Sequence, residues 1–173
     1  MKIVEDYFSK FESKKNSKSL VKGLVVLLDV NFWIVIIFRI SSFFSTIKMY
    51  PLAKVFWLIN RVLFSVDIDP RARLAGGLSL VHGIGIVIGH EVRSLGRLKI
   101  YQGVTLGGNY GKVREIKDEF TGQPVIDDNV IVGINSTVLG PVLLGKNSKI
   151  GTGAIVTKDV TENTTIVGVN KSI

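Results

Sequence analysis

From residue 67 onward, apolar residues return every sixth position. Ile68, Leu74, Leu80 and Ile86 fall six apart, and Ala72, Leu78 and Ile84 stand four places after the first three. After a two-residue shift the series resumes at Ile88, Ser94, Ile100 and Leu106, with Val92, Leu98 and Val104 at the fourth place. A third run takes in Ile126, Val132, Val138, Leu144, Ile150 and Val156, followed at the fourth place by Val130, Ser136, Val142, Ser148, Ala154 and Val160. A β-sandwich would alternate with period two and turn at irregular intervals, so a fixed six points to a solenoid. Each hexad then supplies one short strand and one corner, the aliphatic residue points inward, and three hexads close a triangular coil. Successive coils stack at the strand spacing of about 4.8 Å.

Residues 1–66 follow another rule. Leu, Val, Ile, Phe and Trp cluster in windows long enough for helices, punctuated by Ser41-Ser42 and Tyr50-Pro51, and predict two or three helices ending near Ser65. Within Leu52 to Phe64, the residues Val55, Leu58, Ile59, Val62 and Leu63 recur at three and four, with Lys54 and Arg61 elsewhere on the wheel. That stripe suits a cap on the following domain and also contact with a membrane, and the two uses are compatible. The longest apolar run, Gly23 to Phe38, is broken by Asp29 and Asn31 and stopped by Arg39. It falls short of the roughly 20 residues a membrane span needs, so an interfacial or protein-packed helix is expected.

Composition sharpens this division into a helical segment, 1–66, and a β domain, 67–173. The 173 residues are 46% apolar, with 18 glycines and four prolines, which fits one folded body carrying one extension. The net charge of +8 is concentrated early: residues 1–66 hold ten Lys/Arg against four Asp/Glu, and residues 67–173 hold twelve against ten. These basic residues flank apolar runs and form no base-reading or stacking face, so a nucleic-acid partner is not expected. Lys14, Lys15, Lys18 and Lys22 precede the apolar run, where anionic headgroups would attract them. The mixed polar start lacks a secretory pattern, and the expectation is a cytoplasmic protein docked peripherally on the inner membrane face through residues 1–66. With no cysteine, disulfides, thiolate metal sites and a cysteinyl acyl-enzyme are excluded.

The hexads resemble those of the hexapeptide-repeat acyltransferases. Three stretches are more specific: DIDPRARLAGGLSLVHGIGIVIG, then YQGVTLGG, then QPVIDDNVIVGINSTVLGPVLLGKNSKIGTGAIVTKDV. In that order they resemble the serine acetyltransferase branch and, in character, its capsular and exopolysaccharide O-acetyltransferase relatives. The resemblance covers roughly residues 60–173. It implies a mainly β fold, a left-handed parallel β-helix with an N-terminal helical segment, assembled as a homotrimer with active sites between neighbouring helices. It also implies direct transfer of an acyl group, by family default acetyl, from acetyl-CoA as co-substrate, with no metal.

By that resemblance His82 is the catalytic base and Asp67, fifteen residues earlier, the carboxylate that partners it. A carboxylate there would keep one imidazole nitrogen protonated and leave the other free. Without the motifs, the same residues would read as a corner histidine and a turn aspartate. The resemblance also places Gly107, Gly108, Ile134 and Thr152 near the pantetheine arm and Lys158 near phosphate, although Gly107-Gly108 reads equally as an exit turn.

Residues 109–124 break the hexad rule and are expected to project from the coil and cover the cleft. Serine acetyltransferases carry an Arg-His pair before the proline equivalent to Pro124 and an Asp before the catalytic histidine. This chain has Gly122-Gln123 and Val81 at those places. Loss of these charged partners disfavours a zwitterionic acceptor, and the long acidic N-terminal domain of that branch is replaced by the apolar-basic segment. The expectation is therefore O-acetylation of a sugar or polysaccharide precursor, with serine O-acetylation as the alternative. A β-helix carbonic anhydrase would need three histidine ligands, and only His82 and His90 exist. A non-catalytic membrane-associated scaffold gains weight only if His82 and Asp67 lie far apart or the cleft is blocked.

Overall fold

The computed structural model describes residues 2–12 and 26–170, so Lys14, Lys15, Lys18 and Lys22 lie outside the described residues. Among the described residues, the helices α1 (Lys2–Glu12), α2 (Val30–Thr46) and α3 (Tyr50–Phe64) precede sixteen short strands. The first sheet stacks β1 (Asp67–Ile68), β3 (Val87–Ile88), β6 (Thr105–Gly107), β11 (Thr137–Leu139), β14 (Ile155–Val156) and β16 (Val169–Asn170). The second stacks β2 (Leu78–Val81), β5 (Leu98–Tyr101), β10 (Val130–Val132), β13 (Lys149–Ile150) and β15 (Thr165–Ile166). The third holds β4 (Arg93–Ser94), β9 (Val125–Ile126) and β12 (Leu143–Leu144), extended by bridges from Arg93 to Arg73 and from Leu144 to Val160. Every pairing in these three sheets is parallel, which makes a mainly β, three-sided parallel β-helix.

The register explains both the six-residue rule and its interruption. Ile88 pairs with Leu106 and Val138 with Val156, eighteen residues apart, whereas Ile68 pairs with Ile88, twenty apart. Leu80 also pairs with Ile100, so the two extra residues fall between Leu80 and Ile88. The first coil absorbs them at a single corner, the one that contains His82. Of the residues in the three hexad series, all are buried but Ile84, which that enlarged corner pushes out to 65% exposure.

The helical layer closes the first coil. Ile34, Val35 and Phe38 of α2 join the same apolar core as Leu78, Leu80 and Ile86. Asp29 caps α2, accepting from the Asn31 amide at 2.9 Å, and the helix continues through Arg39 to Thr46. Arg39 ends the apolar run but not the helix. Its guanidinium reaches Asp6 at 2.8 Å and the carbonyl of Leu74 at 2.7 Å, and Asp6 in turn accepts from the Leu78 amide at 2.8 Å. This buried pair joins α1 and α2 to the β-helix and satisfies groups that would be costly to bury alone. Among the described residues, no helix is long and apolar enough to cross a membrane.

The apolar stripe of α3 does not cap the β domain. Val55, Leu58, Val62 and Leu63 are exposed, and the buried face carries Ala53 and Asn60. Those smaller residues let α3 approach α2 closely, where Ser41 Oγ donates to the Ala53 carbonyl at 2.7 Å and Asn60 Nδ2 to the Ile34 carbonyl at 3.0 Å.

Residues 109–124 include a hairpin, β7 (Arg114–Ile116) with β8 (Glu119–Thr121), closed by Lys117 and Asp118 at φ 51° and 61°. Two successive positive φ values suit the tight turn that matches strand twist. Arg93 holds the hairpin through Glu119 at 2.8 Å and the Ile116 carbonyl at 2.7 Å, Arg114 donates to the Pro141 carbonyl at 2.6 Å, and Arg73–Glu119 and Arg114–Asp159 are ion pairs. It is bound to its own coils and lies between β6 and β9, one face away from the His82 corner. Within one chain it therefore stands away from His82, and the expected cleft between neighbouring copies is a feature of the assembly.

Candidate active site

His82 follows β2 at the enlarged corner, exposed, with φ 58°. A residue with a Cβ adopts this left-handed conformation reluctantly, so surrounding contacts must hold it. The imidazole borders an open cleft of about 400 Å³ between Val30, Asn31 and Ile34 of α2, the end of α3, and Gly83-Ile84 of the corner. Asn31 Oδ1 accepts from the Gly83 amide at 2.5 Å. Asn31 Nδ2 donates to Asp29 Oδ1 at 2.8 Å, and Asp29 pairs with Lys10 at 3.3 Å. Burial pushes the Asp29 carboxyl up, but the Asn31 amide and the Lys10 charge outweigh it and leave the group below the ordinary aspartate range.

Asp67 is not bonded to His82. Its two oxygens accept from Trp57 Nε1 at 2.8 Å and Arg61 Nη1 at 2.7 Å, and Arg61 also lies over the Trp57 ring at 5.1 Å. Among the described residues, no hydrogen bond or ion pair joins Asp67 to His82. Both carboxylate oxygens are instead engaged by side chains of α3, while Asp67 pairs in register with Val87. Trp57 and Arg61 went unnoticed as site residues because they read as part of an amphipathic helix.

The expected coenzyme residues lie along two edges of one sheet. Gly103 donates to the Ile84 carbonyl at 2.9 Å, Asn135 to Gln102 at 2.9 Å and Gly153 to Ile134 at 2.8 Å. These bonds stack the corners bearing Ile134 and Thr152 on the same edge as His82. Across the first sheet, Gly140 donates to the Gly107 carbonyl at 2.9 Å, and Gly107, Gly108 and Lys158 occupy the second edge. There Lys158, Asn109, Lys112 and Leu139 border a second cleft of about 330 Å³. A Cβ added at Gly107 would stand 3.8 Å from Leu139, and one at Gly108 3.6 Å from the Gly122 carbonyl. Neither position has a positive φ, and this chain's own packing does not demand glycine at either. That openness fits a ligand approaching the backbone closely.

The expected acceptor residues divide in the same way. Val81 ends β2 beside His82, while Gly122 and Gln123 belong to the second edge. There the Gly122 amide donates to Glu91 Oε2 at 2.8 Å, and Gln123 accepts from the Glu91 amide at 3.1 Å and meets His90 Nδ1 at 3.4 Å. Neither His90 nor Glu91 belongs to a motif that would assign it to this edge. Among the described residues, no group of three or more His, Asp or Glu is placed to hold a metal ion.

Comparison with known proteins places this arrangement in a family. Residues 123–158 match the family model described as bacterial transferase hexapeptide (six repeats). Serine acetyltransferase of Bacillus pumilus is 32% identical over 167 residues, covering 96% of this chain and 73% of that protein. Serine acetyltransferase of Synechococcus elongatus is 34% identical over 148 residues, covering 85% of this chain and 58% of that protein. The crystal structure of Neisseria gonorrhoeae serine acetyltransferase in complex with serine superposes with a TM-score of 0.82 at 32% identity, over 97% of this chain and 66% of that one. The chain thus spans between somewhat over half and about three quarters of these relatives' lengths.

These findings overturn the expected sugar or polysaccharide acceptor and the capsular resemblance with it. Val81, Gly122 and Gln123 record the absence of three side chains at three places. Such an absence does not identify what binds instead, and it carries less weight than likeness along most of the chain. The β-helix is left-handed, as in its structural neighbours, and the chain belongs to the serine acetyltransferase family of acyltransferases.

Proposed function

We propose that this protein transfers the acetyl group of acetyl-CoA to the hydroxyl of serine, with His82 as general base. The observation that carries the reading is the exposed imidazole at an irregular coil corner, opening on a cleft, in a chain that resembles serine acetyltransferases through nearly its whole length. His82 takes the serine Oγ proton as that oxygen attacks the thioester carbonyl. The C–S bond then breaks, and the protonated imidazole returns its proton to the departing thiolate. Asp67 orients the imidazole after its Arg61 contact opens. Gly107, Gly108, Ile134 and Thr152 line the path of the pantetheine arm and Lys158 lies toward its phosphate. Acetyl-CoA-dependent thiol release in the presence of serine is the expected result; no release with serine would overturn the proposal.

The separation of the site over two edges supports a homotrimer, because a threefold arrangement sets the His82 edge of one copy beside the Gly107 edge of the next. Light scattering at working concentration is expected to give three times the chain mass. We also propose that a cytoplasmic trimer docks peripherally on an anionic membrane face. Residues 30–66 contain no Asp or Glu, and Trp33, Phe43, Leu58 and Val62 are exposed together with Lys48, Lys54 and Arg61.

A further inference from the structure

The enlarged corner poses a mechanical problem. It carries two residues more than the corner below it, and its histidine sits at φ 58°. A loop that is longer than its neighbours and unfavourable in backbone conformation tends to be mobile, whereas proton transfer requires a fixed donor–acceptor geometry. Something outside the coil must hold it.

The helical layer provides two anchors, one on each side of His82. Upstream, Lys10 Nζ donates to the Leu80 carbonyl. Downstream, the Gly83 amide donates to Asn31 Oδ1 at 2.5 Å. The anchors are joined: Asp29 accepts from Asn31 Nδ2 at 2.8 Å and pairs with Lys10 at 3.3 Å. A continuous polar path therefore runs from Leu80 through Lys10, Asp29 and Asn31 to Gly83, spanning the corner like a bracket. The corner also fits closely against α2, since a Cβ on Gly83 would come within 2.7 Å of Ile34 Cδ1. Because the Lys10 and Asp29 side chains are only 10% and 14% exposed, water competes weakly for these bonds.

We infer that Lys10, Asp29 and Asn31 act as positioning residues that hold the His82 imidazole in line for proton transfer, so that the N-terminal helices govern turnover through the corner they hold. The inference rests on His82 being the base. Two apparent interruptions of the apolar run thus acquire a task. Asp29 starts α2 and sets the Asn31 amide, and Asn31 sets the catalytic corner.

The experiment compares Asn31→Ala and Asn31→Asp in the full chain. Asn31→Ala is expected to lower kcat about tenfold or more while leaving KM for acetyl-CoA within about twofold, as for a misplaced catalytic group. Asn31→Asp keeps an acceptor for Gly83 but sets a carboxylate against Asp29 where the Asn31 amide had donated, and is expected to recover only part of kcat. Amide hydrogen exchange at Gly83 should quicken about tenfold or more in Asn31→Ala, with Ile150 unchanged. Wild-type kcat in Asn31→Ala, unchanged Gly83 exchange, or equal quickening throughout the β-helix would overturn the inference. If the wild-type protein does not acetylate serine, the proposed function fails separately, and Gly83 exchange together with the His82 ring resonances, assigned with His90→Gln, still decides whether the bracket exists.

Discussion

Arg61 donates to Asp67 at 2.7 Å, so the carboxylate proposed to orient His82 is held by the end of α3. If pairing with His82 requires that contact to open, Arg61→Gln releases one carboxylate oxygen while Trp57 keeps the other, and raises kcat or leaves it unchanged, whereas Asp67→Asn lowers it. A loss in Arg61→Gln as large as that in Asp67→Asn would show that the Arg61–Asp67 pair is itself the working unit. Steady-state kinetics with serine and acetyl-CoA distinguishes the two.

His82→Ala removes the proposed base. Turnover is expected to fall about a hundredfold or more, and the Asp67→Asn loss should be smaller, since that group orients and does not transfer the proton. Acetyl-CoA affinity measured by calorimetry should stay near the wild-type value. Retained turnover in His82→Ala would remove the histidine from the mechanism.

Arg39 and Asp6 face each other in the interior with side chains 7% and 0% exposed. Arg39→Met leaves the Asp6 charge uncompensated and is expected to cost about 3–5 kcal/mol in urea unfolding. The double variant Arg39→Met/Asp6→Leu should recover part of that loss, not all of it, because the Leu74 and Ala75 carbonyls and the Leu78 amide lose their partners as well.

Asp29 links stability to pH. Its folded pKa lies below the ordinary aspartate value of 3.8, so the unfolded chain binds more protons through that interval. The stabilisation is complete above about pH 3.8 and is lost as pH falls through the lower folded value. Asp69 and Asp128 are depressed too and act in the same direction. Urea midpoints should therefore drop between pH 5 and pH 2, by a smaller amount in Asp29→Asn.

Liposome flotation tests the membrane proposal. Protein is expected to float with anionic vesicles, less at high salt, and not with neutral ones. Absence from anionic vesicles would leave the exposed α3 stripe to contacts between protein chains. Resistance to both salt and carbonate washes would point to deeper insertion.

The hexads were legible because each face of a coil spends six residues and repeats the same inward position, while coils meet eighteen residues apart. Ile84 broke the rule for a reason also visible in the sequence, the two-residue shift, although the pattern alone did not place that shift at the histidine. The α3 stripe misled because amphipathicity reveals two faces without saying which one meets the rest of the chain. Here the close helix contact uses Ala53 and Asn60, with two hydrogen bonds across it. The site was legible as motifs and not as geometry. The fifteen residues from Asp67 to His82 suggested adjacency, but partners from α3 decide where the carboxylate points. Asn31 and Asp29 looked like defects in an apolar run because nothing local indicates a bond to Gly83, fifty-two residues away.

The enlarged first coil has a consequence for how such a chain can change. Leu80 keeps its place over Ile100 and Ile88 its place over Leu106 although the upper two positions lie eight apart along the chain and the lower two six. Length is thus a local property of each corner, and the strands on either side do not register it. The same holds for the hairpin that departs after β6 and returns at β9 with the third sheet intact. A molecule built this way has a load-free margin at every turn, where segments can be inserted, trimmed or exchanged without renegotiating the interior. Its chemistry can drift along the edges while its architecture stands still.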